Sequence, residues 1–139
     1  MKIQHYITTL KKAGFRITQA REALIDILLA NRRPMTVFEL LAALKKRHIN
    51  VNKTTVYREI EFLKTNNILH EIQFAERSKR YEIATDDHHH HLVCINCDRV
   101  TDVKLSQELA REENRIAKAT GFTILNHSLE FFGLCAQCK

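Results

Sequence analysis

Asn52-Lys53-Thr54-Thr55-Val56-Tyr57-Arg58-Glu59-Ile60-Glu61-Phe62-Leu63, followed after Asn66-Asn67 by Ile68-Leu69-His70-Glu71-Ile72-Gln73-Phe74, is the stretch that decides the fold. Val56, Ile60 and Leu63 recur at helical spacing and make a core stripe. Lys53, Thr54, Tyr57 and Arg58 fall on a different, polar face. Asn52 suits the N-cap, where its side-chain oxygen can accept from an N–H the first turn leaves open. Asn66-Asn67 can close the helix, because Asn tolerates the left-handed conformation at a helix C-terminus. Beyond it Ile68, His70, Ile72 and Phe74 alternate onto one face of a strand, 75–78 is polar enough for a turn, and 79–84 reads as the return strand. A helix bearing exposed cations thus runs directly into a two-stranded hairpin.

Upstream, Thr36-Val37-Phe38-Glu39 is a capping box that opens a helix with Val37, Leu40, Leu41 and Leu44 on one face. Thr18 caps the helix before it, in which Leu24, Ile27 and Leu28 recur, and Asn31-Arg32-Arg33-Pro34 ends that helix. A further short helix over 2–13 is closed by Gly14. From Thr18 onward, three helices and a hairpin form the pattern of a winged helix-turn-helix domain, and the helix before Gly14 is an addition to it. Thr85-Asp86-Asp87 is a polar joint, which predicts domains at 1–84 and 85–139. The second part reads as a strand over 88–95, a turn at 96–98, a strand over 99–103, a helix capped by Ser106 and running to Gly121, and strand again over 122–125 and 128–132. The expected class is α+β, with a small C-terminal α/β domain behind the winged helix.

Composition narrows the function. Hydrophobic residues make up 45 % of the 139, so a packed core is feasible, and three Gly with one Pro favour helices over a many-stranded sandwich. The net charge of +6 is uneven. Residues 1–84 carry 16 Lys/Arg against 8 Asp/Glu, a balance of +8, and residues 85–139 carry 6 against 8, a balance of −2. One half is therefore suited to a polyanion, although a basic surface can also be merely solvated. No run of about 18 apolar residues is present, so no membrane span is expected. The N-terminus starts no signal-peptide pattern, and a cytoplasmic, reducing location is expected. There, cysteines are more often metal ligands or redox groups than disulfides.

Cys94, Cys97, Cys135 and Cys138 form two C-x-x-C pairs with no cysteine left over. Such a turn sets two thiolates about 3.5–4 Å apart, as tetrahedral zinc needs, and two pairs close the shell. A closed four-thiolate site is structural rather than catalytic. A redox-active pair, or cysteines without metal, is the alternative. Directly upstream lies His88-His89-His90-His91. In an extended segment His89 and His91 face one way and His88 and His90 the other, so one strand can serve two metal sites. Glu82, His70, Asp102 and His127 are scattered further candidates, each ordinary when taken alone. On the helix that opens at Asn52, Lys53, Thr54, Tyr57 and Arg58 offer phosphate contacts, a ring for thymine methyls and a guanidinium able to read guanine edges. An enzyme is not expected. A zinc deaminase needs His-x-Glu upstream of its C-x-x-C, which is missing, and a thiol oxidoreductase needs a free cysteine.

Several stretches together resemble the ferric uptake regulator family of bacterial metal-responsive repressors, over nearly the whole chain. They are Leu10-Lys11-Lys12-Ala13-Gly14-Phe15-Arg16-Ile17-Thr18, Thr54-Thr55-Val56-Tyr57-Arg58, the run HHHHLVCINC over 88–97, Asn126-His127-Ser128 and the terminal cysteine pair. The resemblance implies a homodimer joined through C-terminal domains and a structural zinc on the four cysteines. It also implies a regulatory metal at the hinge that closes the DNA-binding domains onto an operator in double-stranded DNA. By position it implies His89, His91 and Glu82 as hinge ligands, and Asp102 as an acidic ligand some members use. It implies a further site from His88, His90 and His127, completed by a Glu for which Glu108 and Glu112 are candidates. One departure stands out. Many members take a hinge ligand from a His just before the helix that starts here at Thr36, where this chain reads Arg32-Arg33-Pro34-Met35. His70 can substitute, giving His70, Glu82, His89 and His91 as the expected regulatory set. Such donors suit Zn2+, Fe2+ or Mn2+ alike. Arg16 is placed to reach a minor groove or a phosphate. The implied function is a metal-dependent repressor of metal homeostasis genes, of the iron or zinc uptake type. The alternatives are a peroxide-sensing repressor of the same family or a zinc-stapled metal buffer.

Overall fold

Val56, Ile60 and Leu63 are completely buried, as their spacing predicts, and the helices around them are arranged to cover them. A computed structural model of the protein describes residues 3–75, 77–85, 88–105 and 107–139. The chain divides into two compact units, Met1–Thr85 and Asp86–Lys139.

The first unit contains α1 (Ile3–Lys12), α2 (Gln19–Asn31), α3 (Val37–Lys46), α4 (Lys53–Thr65), β1 (Leu69–Ile72) and β2 (Arg80–Ile83). Each helix end has a chemical cause. Gly14 turns left-handed at φ +86° after α1, a conformation that costs glycine nothing. Thr18 caps α2 by accepting from the Arg21 N–H, and Asn52 caps α4 by accepting from the Thr55 N–H. Asn67 is left-handed at φ 56°, and the next N–H, that of Ile68, donates back to the Leu63 carbonyl. The core joins Leu10, Leu24, Ile27, Leu40 and Leu44 to the α4 stripe and to Leu69, Tyr81 and Ile83 of the hairpin.

Two polar nodes tie this unit together. Arg21 clasps Glu59 of α4 at 2.8 Å and 3.2 Å, lies 3.6 Å over the Phe62 ring, and donates to the Arg16 carbonyl. Thr36 and Glu39 form the capping box, and the same Glu39 carboxylate receives Arg33 and the buried Arg80 of β2. Burial opposes its ionisation, but the Thr36 N–H and the two guanidinium groups outweigh burial and hold its pKa below the ordinary value. Met35 and Tyr81 exchange backbone hydrogen bonds, so the loop before α3 is also stitched to β2.

The hairpin differs in detail from its sequence pattern. Ile68 and Phe74 are buried but His70 between them is exposed, and the paired strand covers only Leu69–Ile72. Leu69 opposite Ile83 and Glu71 opposite Tyr81 take the core side, which turns His70, opposite Glu82, outward. Alternation fails because Ile68 still belongs to the turn that closes α4 and precedes the first ladder pair.

The second unit is a three-stranded sheet in the order β4 (Val100–Val103), β3 (His90–Cys94), β5 (Glu130–Gly133), with α5 (Glu108–Thr120) between β4 and β5. β3 pairs antiparallel with β4 and parallel with β5. Ser106, expected as the cap of α5, and Asp86-Asp87 of the expected joint lie outside the described residues. Gly121 ends α5 in the left-handed conformation. The strand expected over 122–125 does not form. Its residues find no ladder partner among the described residues, and Phe122 and Leu125 are 74 % and 90 % exposed.

Glu39→Gln should destabilise the protein by about 1–3 kcal/mol near neutral pH, because it weakens a cap and leaves Arg80 with a poorer acceptor. The carboxylate's lowered pKa contributes stability that is present above its ordinary value of 4.5 and lost as pH falls below it. Urea unfolding of Glu39→Gln should therefore depend less on pH in that acid range. Arg33→Ala, a more exposed partner, should stay within about 0.5 kcal/mol.

Candidate metal centres and the nucleic-acid face

The sheet of the second unit holds its cysteines at matching ends. Cys94 closes β3, Cys97 lies in the following turn, and Cys135 and Cys138 follow β5. Pairing of β3 with β5 carries on through the Ile95 N–H to the Gly133 carbonyl, so both C-x-x-C turns emerge side by side. All four cysteines are free thiols, and their sulfurs lie within 4.8 Å of one another. The Cys97 and Cys135 sulfurs are 3.8 Å apart. Zinc–sulfur bonds of about 2.3 Å in a tetrahedron require sulfur edges of about 3.8 Å, so the set fits zinc. The Cys135 and Cys97 N–H groups aimed at the Cys94 sulfur bring its pKa down to about 6, which favours the thiolate a metal binds.

The histidines divide as strand geometry demands. His88, His90 and His127 bring ring nitrogens together on one side. His127 Nε2 lies 2.7 Å from His88 Nε2 and 3.4 Å from His90 Nε2. Zinc–nitrogen bonds of about 2.0–2.1 Å set such nitrogens about 3.3 Å apart, so three imidazoles can converge on one ion here. The far nitrogens are anchored. His127 Nδ1–H donates to the Glu113 carboxylate, and His90 Nδ1–H donates to the Leu129 carbonyl at 3.2 Å. Both Nε2 lone pairs are thereby left for a metal. Burial, helped by the neighbouring His88 and His127, lowers the His90 pKa against the opposing hydrogen bond to the Leu129 carbonyl. A cavity of about 660 Å³, walled in part by Ala117, Phe122 and Leu125, opens beside His88 and His127 and gives an ion a way in.

Among the described side chains, the carboxylate that reaches these histidines is not Glu112. Glu112 is turned to Arg115, which it meets at 3.0 Å, and the side chain of Glu108 lies outside the described residues. Glu113 reaches His127 instead. Neighbouring residues on a helix point about 100° apart, so one of the pair at most can face the sheet. Glu112 and Arg115 stand at the i,i+3 spacing of a helical ion pair, a local signal that Glu112 is engaged along its own helix.

His89 and His91 take the other side, with Asp102. Asp102 sits directly opposite His91 in the β3–β4 register, its Oδ1 3.6 Å from His91 Nε2. Asp102, outside the expected regulatory set of His70, Glu82, His89 and His91, therefore stands with His89 and His91. His70 stands apart from this group. It joins no such cluster among the described residues, and it stands exposed on β1 opposite Glu82 of β2.

On α4, Lys53, Thr54, Tyr57 and Arg58 are all exposed, on the side away from Val56, Ile60 and Leu63. Arg16 is exposed too, its backbone held by Arg21. A cation-bearing helix fixed by its apolar face is what entry into a major groove requires.

A family model, the ferric uptake regulator family, matches residues 12–132. The chain belongs to the ferric uptake regulator family. This is a family of metal-responsive transcriptional regulators. The peroxide operon regulator of Bacillus subtilis is 29 % identical over 99 % of this chain and 94 % of its own length. Among solved structures, a zinc-bound manganese uptake regulator is 28 % identical with a TM-score of 0.75, over 90 % of this chain and 94 % of that one. The ferric uptake regulator of Helicobacter pylori shares the fold at a TM-score of 0.83 and 23 % identity, over 98 % of this chain and 90 % of that one. No helix among the described residues is long and apolar enough to cross a membrane.

If Glu113 orients His127, Glu113→Gln should weaken metal binding at the three-histidine set by roughly 10-fold or more, while Glu112→Gln leaves it unchanged. Competitive metal titration of protein that keeps its four-cysteine zinc reads this directly.

Proposed function

We propose that this member of the family is a metal-dependent repressor of metal homeostasis genes, working in the cytoplasm as a homodimer on palindromic operator DNA. The observation that carries the reading is the separation of donors on β3 into two sets. His88, His90 and His127 are complete within the second unit. His89, His91 and Asp102 offer two nitrogens and a carboxylate, and are open to a further ligand. We assign that ligand to Glu82 of the first unit, which only six residues of chain separate from His89. A metal gripping both units favours the arrangement in which both ligand groups converge. It shifts the equilibrium by its differential affinity for that arrangement. The donor set suits Fe2+, Zn2+ or Mn2+. On this reading residues 1–84 bind DNA through Arg16, Lys53, Thr54, Tyr57 and Arg58, and residues 85–139 hold metal and dimerise.

The second unit supports the dimer physically. Among its described residues only Val93, Cys94 and Val100 are buried apolar side chains, while Leu92, Phe122, Leu125, Phe131, Phe132 and Leu134 are exposed. An apolar surface of that extent in so small a unit calls for a partner, and a second copy supplies one by symmetry. Asp102 beside His91, together with the likeness to a peroxide regulator, favours a second reading in which an iron-loaded protein answers peroxide.

Operator binding followed by fluorescence anisotropy should require added metal in protein that retains its four-cysteine zinc, and should fall steeply with salt. His89→Ala and Asp102→Ala should lose the metal dependence, and His70→Ala should keep it. Binding indifferent to chelation of the added metal would remove the switch. Peroxide that frees the operator from iron-loaded but not zinc-loaded protein would select the second reading.

Leu125→Glu should yield monomers by sedimentation and weaken operator binding by 100-fold or more, roughly the cost of losing one of two linked half-sites. A dimer of unchanged stability would place the interface elsewhere.

A further inference from the structure

Among the described residues of the first unit only three large apolar side chains are exposed: Phe15, Phe38 and Tyr57. Phe15 is engaged edge-on with Phe62 at 4.9 Å between ring centroids. Phe38 is 67 % exposed, and it stands in the first turn of α3 between the buried Val37 and the capping Glu39. It is not an isolated surface residue. The Lys53 ammonium lies 4.6 Å from the Phe38 ring centroid and 5.7 Å from that of Tyr57, so one cation joins an exposed ring on α3 to the DNA-facing side of α4. Arg58 lies on the same side of α4, and the first turn of that helix carries no acidic residue. The patch is therefore apolar and positive at once, which suits a nucleic acid better than an apolar protein partner.

We infer that Phe38 is a base-reading residue of the operator interface, packing its ring on the 5-methyl group of a thymine while Lys53 beside it meets a phosphate. The inference rests on the repressor reading above. A phenyl ring has no hydrogen-bonding atom, so the methyl of thymine is the one major-groove feature it can distinguish. Tyr57 differs in having a hydroxyl. Lys53, held between the two rings, arrives at the DNA with part of its side-chain freedom already spent. The recognition surface thus extends beyond α4 to the start of α3, where sequence spacing alone signals only a capping box.

The test uses the full-length, metal-loaded protein. An operator is selected from random DNA, and each thymine is replaced in turn by deoxyuridine, which removes the methyl and nothing else. Wild type should lose about fourfold in affinity at one thymine of each half-site, the factor expected for one buried methyl group. Phe38→Ala should be insensitive to that replacement, and Phe38→Leu, which keeps an apolar contact, should remain sensitive. Unchanged zinc content and thermal unfolding of both variants exclude a folding defect. Identical deoxyuridine profiles for wild type and Phe38→Ala would leave the repressor reading standing and remove Phe38 from the interface. A wild-type protein that enriches no sequence would overturn the repressor reading and this contact together.

Discussion

A sheet of three short strands whose only buried apolar side chains among the described residues are Val93, Cys94 and Val100 has too little apolar burial to offset the entropy of ordering more than fifty residues. What holds the second unit must come from elsewhere, and the cysteine turns are where it is applied. They sit at the same end of β3 and β5, strands that are 36 residues apart in sequence between Cys94 and Glu130 and that pair in parallel, the arrangement most expensive to close. A zinc ion binding four thiolates there adds its binding free energy to folding. The β3–β5 register it fixes sets His91 opposite Glu130 and carries β5 in from His127 and Leu129. The three-histidine set, which draws His127 from the chain leading into β5, therefore leans on the cysteine staple even though it shares no ligand with it.

The pleat of β3 then does something composition alone cannot. Four identical residues in a row become two sets because successive side chains leave opposite faces. Their surroundings differ. His90 and His127 are each held at Nδ1, by a carbonyl and by a carboxylate, and their partners all come from the second unit. A metal there can stiffen that unit but has no means of discriminating between arrangements of the two units. His89, His91 and Asp102 supply three donors, and on the proposed reading they complete their shell with Glu82. Only a site whose ligands come from both sides of the joint can couple metal to DNA geometry. That separates a regulatory role from a structural one without appeal to which metal binds.

The helices of the first unit were legible because each end carries its own chemistry: Thr18, Thr36 with Glu39, Asn52 and Asn67 act within one turn of where they stand. The four-cysteine cluster was legible for the same reason, since a C-x-x-C turn is a local object. What failed was long-range. His70 reads as facing the core side of its strand until the register shows Leu69 taking that side against Ile83. Asp102 joins His91 only through a cross-strand pairing that no spacing prints. The strand expected over 122–125 has the right residues, but a strand exists only where another backbone meets it. Its exposed Phe122 and Leu125 are what a segment awaiting a partner chain would present.

The anchoring of α4 constrains how any signal can reach DNA. Its apolar stripe is completely buried, Arg21 pins Glu59 and Phe62 from α2, and Asn52 and Asn67 fix both ends. Packed interiors of this kind do not deform by small degrees. Reshaping the helix would mean breaking a desolvated ion pair and opening the core, at a cost of several kcal/mol. A metal bound after residue 85 therefore has little to gain by altering the recognition surface itself. The cheaper variable is where that surface stands relative to its symmetry mate, since two half-sites must be met at a fixed spacing. A switch that acts through geometry works only if the reading head stays the same shape while it is moved.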